Sequence, residues 1–594
     1  MGIGGAELKV AYTSTSLSGS APMGEVQHRH LQKSPIRTDI APLEEVTAHI
    51  NPSACINCGT CREICPVSAI SEHQRVICHG CPVCTEKPGI SPQEMDALAV
   101  STSCTTACPL GISPQGYIGL TKDGKVEEAF NLIWDKNPLP SVCGSVCHHP
   151  CEDACKRGLL VDEPIKIRAV KKYLANEVDA PVKKYNLLHD DRIAVIGAGP
   201  AGLTAAHYLS SAGYEVTVFE SAPEAGGMLK RGIPAFRLDR RVVERDVRKL
   251  EEAGLDIRLD ARIDRYALEK IRREYDVVIV ATGTPNSKEL KIPGQRLAGV
   301  MNAMNFMAQV NNDVAIRRHL GQIFEFKGGE AVVIGGGSVA MDVARAAMRV
   351  GAKKVTVVCL EQGEAVPAHD WEITEAKAEG ITIMEGYSPI AYQSSLFPEL
   401  QGVKLARVKN FKKDEAGKIS FDIDRADTLS IKADWVVEAI GQAPDALWST
   451  LSGDDVFFAG DIKSNACSVV DAMASGRKTA IEVDTALRGR KVKDAMETHE
   501  LSLADVMEKI FPYNRRKTVR PETPLLDAQT RAHSFDEVEG VLKDAQVRQE
   551  VASCLGCGYE VVNTKECIAC GMCQKLCPKG NVITMVAKEG GNGQ

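Results

Sequence analysis

Two glycine-rich turns, each set between a β-branched strand and a helix-forming run, constrain the fold of this chain most strongly. The first lies in RIAVIGAGPAGL (192–203), where Gly197, Gly199 and Gly202 give the spacing G-x-G-x-x-G. A second strand, YEVTVF, follows the helix and ends at Glu220. Strand, glycines, helix and acidic residue together predict a Rossmann-type unit that binds a dinucleotide.

The residues of this turn have separate physical tasks. Gly197 permits the tight turn, Gly199 lets the backbone approach a pyrophosphate, and Gly202 allows close packing of helix and strand. The helix N-terminus offers amide donors and a favourable dipole to the phosphates. Glu220 is placed to accept hydrogen bonds from a ribose.

A second copy of the pattern begins at Ala331 with AVVIGGGSVAMDVARAAMRVG. Its glycines are Gly335 and Gly337, and Ala340 takes the third position, where a small residue is tolerated. The strand VTVVCL follows and leads to Glu361. The chain is therefore expected to bind two dinucleotides.

The residue after the second strand bears on the choice of nicotinamide cofactor. No lysine or arginine occurs from Val355 through Trp371. A carboxylate at Glu361 would repel a 2′-phosphate and accept hydrogen bonds from a free 2′-hydroxyl, which favours NADH over NADPH. The alternative is that Glu361 faces solvent and a distant arginine binds the phosphate.

The 21 cysteines are concentrated near both ends of the 594-residue chain. Thirteen lie between Cys55 and Cys155, and six lie between Cys554 and Cys577. An odd number of cysteines without an export signal is a poor disulfide framework, because the cytosol keeps thiols reduced. The clustering therefore favours metal binding.

Two cysteine runs share one spacing. CINCGTCREICP (55–66) and CIACGMCQKLCP (567–578) both read C-x2-C-x2-C-x3-C-P. This is the ferredoxin run for iron–sulfur ligation, in which the fourth cysteine often serves a neighbouring cluster. Zinc ribbons are the weaker alternative. The predicted ligands are Cys55, Cys58, Cys61, Cys65, Cys567, Cys570, Cys573 and Cys577.

The other cysteines are harder to divide among clusters. In the N-terminal part they are Cys78, Cys81, Cys84, Cys104, Cys108, Cys143, Cys147, Cys151 and Cys155. Pro150 interrupts the last run, which predicts a loop and turn at its centre. Near the C-terminus, Cys557 is a further predicted ligand, and Cys554 precedes it. We predict three N-terminal [4Fe-4S] clusters, one C-terminal cluster and at least one spare thiol.

Composition excludes several classes of protein. The formal net charge of −7 argues against a nucleic-acid-binding surface. No apolar run reaches the roughly 18 residues of a membrane-spanning helix. The N-terminus has no basic segment followed by an apolar core, so no secretory signal is predicted. We expect a cytoplasmic protein.

Several motifs together resemble the small-subunit family of glutamate synthase. That family includes the reductase half of dihydropyrimidine dehydrogenase and the large subunit of NADH-dependent ferredoxin:NADP transhydrogenase. The resemblance covers about 100–490. The matching motifs are CTTACP (104–109), NPLPSVCGSVCHHPCEDAC (137–155), VIGAGPAGL (195–203), GGMLKRGIPAFRL (226–238), VVIGGGSVAMD (332–342), VEAIGQAPD (437–445) and VFFAGD (456–461).

The resemblance implies that the first Rossmann unit holds FAD and that the second, inserted in the first, holds the nicotinamide cofactor. Asp461 would then contact the ribityl chain or a phosphate. Where the glutamate synthase pattern has Tyr-Arg-Arg, this chain has Cys359, Leu360 and Glu361. The other cofactor contacts that the resemblance implies are Pro200, Ala201, Gly226, Gly227, Arg237, Thr282, Gly283, Ser338, Gly460 and Ser468.

The resemblance also implies a helical domain with two [4Fe-4S] clusters beside the FAD. The ligands by correspondence would be Cys104, Cys108, Cys147, Cys151 and Cys155, with Cys143 as the spare. Two ligands that usually precede Cys104 are absent at their normal spacing. Cys81 and Cys84 are the expected substitutes.

The predicted fold class is α/β. Two nested Rossmann-type domains are preceded by an α-helical iron–sulfur domain and flanked by small ferredoxin-like segments. The predicted divisions are an N-terminal extension (1–48), a ferredoxin-like segment (49–90), the helical domain (91–187), the FAD domain (188–295 and 435–490), the NAD(H) domain (296–434), a wrapping linker (491–550) and a C-terminal ferredoxin-like domain (551–594).

These parts predict an NADH-dependent oxidoreductase subunit that converts hydride transfer into single-electron transfer, with ferredoxin or a partner redox subunit as acceptor. No protein acid or base is expected to be catalytic. A thiol–disulfide reductase is disfavoured because GGMLKRGIPAFRL contains no cysteine. The alternatives are an NADPH-dependent glutamate synthase small subunit and a zinc-stabilised, non-catalytic scaffold.

Overall fold

The structure is a computed structural model. It describes residues 46–50, 70–74, 104–178, 182–320, 328–395, 399–414, 419–449, 451–464, 468–489, 517–562, 577–578 and 583–587. Among the predicted ligands, the following lie outside the described residues: Cys55, Cys58, Cys61, Cys65, Cys78, Cys81, Cys84, Cys567, Cys570 and Cys573.

The first dinucleotide-binding unit is built on a five-stranded parallel sheet. In spatial order its strands are Val456–Phe458, Val277–Val280, Arg192–Ile196, Glu215–Phe219 and Asp256–Arg258. Its helices are Pro200–Ala212, Met228–Arg231, Arg240–Ala253, Arg265–Glu274, Asp461–Ser464 and Val469–Arg488. The central strand is buried along 193–196 because helices cover both faces of the sheet.

The second unit repeats this architecture. In spatial order its parallel strands are Thr382–Glu385, Lys354–Cys359, Glu330–Ile334, Trp435–Glu438 and Val300–Asn302. Its helices are Ala303–Leu320, Ser338–Arg349 and Asp370–Ala378. An antiparallel sheet of Tyr387–Ser394, Leu400–Lys413 and Ile419–Lys432 packs beside it.

The chain passes between the two units at neighbouring points, where Asn286–Ser287 pairs with Gln442–Ala443. A short helix, Ala446–Ser449, follows the return. We expected the first domain to resume near Trp435, but that strand pairs with Glu330–Ile334 in the second sheet. The first sheet resumes at Val456 instead, since a short apolar strand has the same pattern in either parallel sheet.

Short helices form a domain ahead of the first unit. They are Pro114–Lys122, Val126–Trp134, Pro140–Val146, Pro150–Asp153, Lys156–Leu160 and Ile167–Glu177. The predicted turn within the cysteine run is confirmed, because one helix ends before Cys147 and the next begins at Pro150. Buried Asp246 accepts the amide of Val142 at 3.0 Å and so joins this domain to the first unit.

The two ends of the chain pair with each other. Val46–Ile50 is antiparallel to Ile583–Ala587, and Ile70–Gln74 is antiparallel to Gly558–Val562. In the sequence, each ferredoxin run is flanked by two of these strands. The two strands that flank one run pair with the two strands that flank the other run. The sequence predicts two separate ferredoxin-like segments, because strand pairing over about 500 residues leaves no local signal.

The C-terminal tail contacts the preceding domains within residues 517–562. Two helices, Ala528–His533 and Asp544–Ala552, lie along it. Val538 donates its amide to the carbonyl of Phe236 at 2.9 Å, so the described part of the predicted wrapping linker packs on the core. Among the described residues, no helix is both long and apolar enough to cross a bilayer.

Candidate cofactor sites and cysteine groups

The first glycine turn has the close approaches that its spacing predicts. A Cβ on Gly202 would lie 1.9 Å from the carbonyl oxygen of Gly197, and Gly197 itself has a φ of 107°. A Cβ on Gly199 would meet no atom within 4 Å, so this glycine borders open space. Buried Glu220 accepts the amide of Ala198 at 2.8 Å, which fixes its carboxylate at the turn.

Other predicted contacts gather around the start of the helix Pro200–Ala212. A Cβ on Gly227 would lie 3.1 Å from the Cα of Gly199, and one on Gly460 would lie 2.7 Å from the Cβ of Ala201. Asp461 is the first residue of its short helix, directly after Gly460. The structure thus brings these distant segments to one cradle.

The end of the strand Val277–Val280 borders the same cradle. The hydroxyl of Thr282 is buried without a hydrogen-bond partner in the structure, and its Cα would lie 3.3 Å from a Cβ on Gly197. Gly283 has a φ of 64° and open space beside it. An unpaired buried hydroxyl next to open, backbone-lined space fits a bound polar group such as a dinucleotide.

Sequence reasoning missed one glycine of this site. A Cβ on Gly476 would lie 2.1 Å from the carbonyl oxygen of Ala201, so Gly476 lets the helix Val469–Arg488 cross the cradle helix closely. A glycine inside a helical pattern can signal such a packing requirement. Ser468 begins this helix as its N-cap and accepts the amide of Asp471.

The second glycine turn is built in the same way. Gly335 has a φ of 137°, a Cβ on Gly337 would meet nothing within 4 Å, and Ala340 is buried in the third position. A Cβ on Gly336 would lie 3.0 Å from Oε2 of Glu361. Glu361 is only 7% exposed, so its carboxylate lies against the turn and does not face solvent.

Two predicted contacts have different surroundings. Ser338 is the first residue of the helix after the second turn. Arg237 lies between the two dinucleotide units, where its guanidinium contacts Asp342 at 2.8 Å and Glu372 at 2.9 Å. Burial alone would lower the pKa of Arg237, but Asp342 and Glu372 raise it above its usual value. In this structure Arg237 links the two units electrostatically.

Cysteines form two groups, one between the helical domain and the C-terminal tail and one within the helical domain. The first group consists of Cys104, Cys155, Cys554 and Cys557. Burial raises the pKa of Cys104, and the thiols of Cys554, Cys155 and Cys557 raise it further. The amide of Ile165 donates to Sγ of Cys155 at 3.4 Å.

The second group consists of Cys108, Cys143, Cys147 and Cys151, and all four are buried. Lys171 is 4% exposed and faces this group. Burial alone would lower the pKa of Lys171, but the thiols of the group raise it above its usual value. Cys143, the expected spare, thus lies within the group, with Sγ 3.5 Å from Sδ of Met473.

Both groups have the chemistry of cubane sites. Every described cysteine is a free thiol. Burial raises the pKa of the thiols of Cys104, Cys143, Cys147, Cys151 and Cys554, and bound iron would offset the cost of ionising them. Among the described residues no three potential ligands converge on a point suited to one metal ion. A cubane differs from a single ion because its thiolates bind separate iron corners.

In the second ferredoxin run, Cys577 is half-buried. The carbonyl of the next residue, Pro578, accepts a hydrogen bond from Nζ of Lys125 at 3.1 Å.

Comparison with protein families supports each part. A pyridine nucleotide-disulphide oxidoreductase model matches residues 191–476. The model of dihydropyrimidine dehydrogenase domain II with its 4Fe-4S cluster matches 98–181, and a 4Fe-4S binding domain matches 48–71. The fold and sites therefore define an FAD- and NAD(P)-dependent oxidoreductase with 4Fe-4S clusters.

Relatives that match over most of their own length identify the family. NADP(+)-dependent formate dehydrogenase subunit beta of Moorella thermoacetica is 31% identical over 77% of this chain and 71% of its own length. NADPH-Fe(3+) oxidoreductase subunit beta of Geobacter sulfurreducens is 28% identical over 76% and 75%. The glutamate synthase [NADPH] small chain of Azospirillum brasilense is 29% identical over 64% and 84%. The chain belongs to this glutamate synthase small-subunit-like family of FAD and iron–sulfur oxidoreductases.

Proposed function

We propose that the chain is the NADH-oxidising subunit of a larger redox complex and passes single electrons to ferredoxin or to a partner subunit. One observation supports this most directly. The helix Val469–Arg488 contacts the FAD cradle through Gly476 and the second cysteine group through Met473, one turn earlier. A flavin in the cradle and a cluster in that group would therefore be separated by little more than one helix.

The residues of this chain would bind and orient the cofactors, and the cofactors would supply the redox chemistry. When bound, flavin accepts a hydride from nicotinamide and releases electrons singly, and iron–sulfur clusters accept them one at a time. Gly199 and Gly337 would leave room for the pyrophosphates, Glu220 and Glu361 would bind ribose hydroxyls, and the Thr282 hydroxyl would hydrogen-bond the flavin nucleotide. No described side chain is needed as a proton donor.

The paired chain ends support a single ferredoxin-like unit in which both runs take part. Strand Val46–Ile50 also contacts Gly558–Val562, so the two strand pairs lie side by side. In two-cluster ferredoxins the fourth cysteine of each run ligates the other cluster. By that pattern, Cys65 would serve the C-terminal run and Cys577 the N-terminal run. This unit would be the exit point for electrons.

The function is tested by adding NADH to the anaerobically reconstituted, full-length protein. We expect the flavin absorption to bleach within seconds, together with the broad absorption of the clusters. NADPH at the same concentration should act at least about tenfold more slowly, a difference of about 1.4 kcal/mol. A protein that stays coloured with both nucleotides would contradict the proposal. A protein that responds only to NADPH would favour the glutamate synthase-type alternative.

The cofactor preference is assigned to Glu361. Replacing Glu361→Gln removes the charge that would repel a 2′-phosphate, while size is retained. We expect the ratio of kcat/KM for NADH to that for NADPH, measured with an artificial dye, to fall by about tenfold or more. Glu364→Gln, an exposed position in the same loop, is the control and should leave the ratio unchanged. An unaltered ratio in Glu361→Gln would contradict this role.

Lys171 is expected to tune the cluster of the second cysteine group. A reduced cluster is more negative than an oxidised one, and a buried ammonium stabilises the added charge. Lys171→Met should lower the reduction potential of one cluster by about 60 mV or more, the tenfold equivalent for one electron. Lys172→Met is the control, because that ammonium contacts Glu537 at 2.7 Å. Potentiometric titration followed by electron paramagnetic resonance (EPR) measures the reduction potentials of the clusters in both variants. Potentials in Lys171→Met equal to those in Lys172→Met would contradict the prediction.

A further inference from the structure

We propose that Cys104, Cys155, Cys554 and Cys557 together ligate one [4Fe-4S] cluster, so that the C-terminal tail completes a cluster site of the helical domain. The inference rests on the proposed function, because it names the ligands of one of its electron carriers. It replaces the expectation that Cys81 and Cys84 supply the two missing ligands. It also adds Cys554, which sequence reasoning had not counted as a ligand.

The tail is anchored on the helical domain immediately before its two cysteines. Glu550, which is fully buried, accepts the amide of Lys166 through Oε1 at 2.7 Å and Nε of Arg520 through Oε2 at 3.0 Å. The carbonyl of Ser553 accepts Nη1 of Arg157 at 2.7 Å. The contacts of Lys166 and Arg157 join the helical domain to positions 384 and 396 residues later and fix the backbone one residue ahead of Cys554.

Packing continues through the pair itself. Leu555 is buried against Val161, and Cys557 packs against the same two residues. Gly556, with a φ of 62°, provides the turn between the two cysteines. On the other side, Cys104, Cys155 and Cys554 all border the core of the helical domain. The C-x2-C pair is therefore held against the helical domain, to which Cys104 and Cys155 belong.

The surroundings suit a buried, negatively charged cluster. Sγ of Cys155 accepts the amide of Ile165, and the amide of Gly556 donates to Cys554. Amide donors of this kind stabilise thiolates bound to iron. The guanidinium of Arg157 lies beside the pair, because its Nη1 donates to the carbonyl of Ser553. Cationic groups and amide dipoles reduce the cost of burying the charge.

The site has a defined place in the electron path. Cys104 and Cys155 are each four residues from a member of the second group, Cys108 and Cys151, so the two groups are neighbours. Cys557 is followed directly by the strand Gly558–Val562, which pairs with Ile70–Gln74 beside the first ferredoxin run. The cluster would thus connect the group next to the FAD cradle with the paired chain ends. Tail docking and electron exit would depend on the same cysteines.

The test uses the full-length, anaerobically reconstituted protein and the double variant Cys554→Ser/Cys557→Ser. We expect a loss of about four irons and four sulfides per chain, the content of one cubane, together with one component of the EPR spectrum of the dithionite-reduced protein. Cys104→Ser should remove the same component. Cys359→Ser, a buried cysteine of the second Rossmann unit, is the control and should keep full iron and flavin.

Cys81→Ser/Cys84→Ser separates the two assignments. The proposal predicts that this variant keeps the component that Cys104→Ser removes. It is overturned if the Cys81/Cys84 variant loses that component and the Cys554/Cys557 variant keeps it, or if the Cys554/Cys557 variant retains its full iron content. If the double variant loses FAD and so does not fold, the single variant Cys557→Ser replaces it. We expect the EPR component to change in this single variant. An unchanged component would overturn the proposal. Bleaching by NADH is scored separately, so the proposed function can fail while the ligand assignment holds.

Discussion

Replacement of Gly202→Val is expected to give a folded, iron-containing protein without FAD. A Cβ at this position would lie 1.9 Å from the carbonyl oxygen of Gly197, and no rotamer can relieve a clash that involves backbone on both sides. The helix Pro200–Ala212 would have to move away from the turn, which removes the amide donors from the pyrophosphate site. We expect bound FAD to fall more than about tenfold, equivalent to at least about 1.4 kcal/mol of binding free energy.

FAD released by denaturation and quantified per chain measures this loss. Ser211→Ala, at an exposed position of the same helix, should retain FAD at the wild-type level. Iron content should persist in Gly202→Val, because the cysteine groups lie in the helical domain and the tail. Stoichiometric FAD in the valine variant would mean that this cradle is not the flavin site.

Local features of the sequence predicted the two cradles well. Gly197, Gly202 and Glu220 lie within one strand–helix–strand unit, so spacing along the chain translates directly into spacing in three dimensions. The same holds for Gly335 and Glu361. Their surroundings, an open turn with a carboxylate beside it, match the expectation in both units.

Long-range features could not be predicted in this way. The strand at Trp435 has the apolar pattern of any buried parallel strand, and only its partners show that it belongs to the second sheet. Spacing shows that Cys554 and Cys557 form a pair, but not that the tail brings them to Cys104. Arg237 is predicted to contact a cofactor, and its neighbours in sequence do not reveal its contacts with carboxylates of the second unit. Such placements follow from tertiary packing.

Replacement of Glu379→Ala is expected to lower the free energy of unfolding by about 3–5 kcal/mol, the usual cost of removing one partner from a buried ion pair. The carboxylate contacts Arg345 and Arg349, each at 2.7 Å, and Arg531 of the tail at 3.4 Å. All three arginines are at least 90% buried. Without Glu379 they would repel one another with little access to water. Urea unfolding followed by near-ultraviolet circular dichroism measures the change.

Glu375→Gln is the matched control, since Glu375 contacts the same Arg345 at 2.8 Å but is partly exposed. Its cost should not exceed about 1 kcal/mol.

Burial raises the pKa of Glu379, but hydrogen bonds from Arg349 and Arg345 outweigh the effect of burial and hold this pKa below its usual value. Its stabilisation is therefore complete at neutral pH and declines as the pH falls through the lowered pKa. Arg349 also donates to the carbonyl of Ser534 at 2.8 Å. The tail should therefore detach when this network of ion pairs is lost. We expect limited proteolysis of Glu379→Ala to cut first between 517 and 543. If the tail stays protected while the second unit unfolds, the two are not coupled through Glu379.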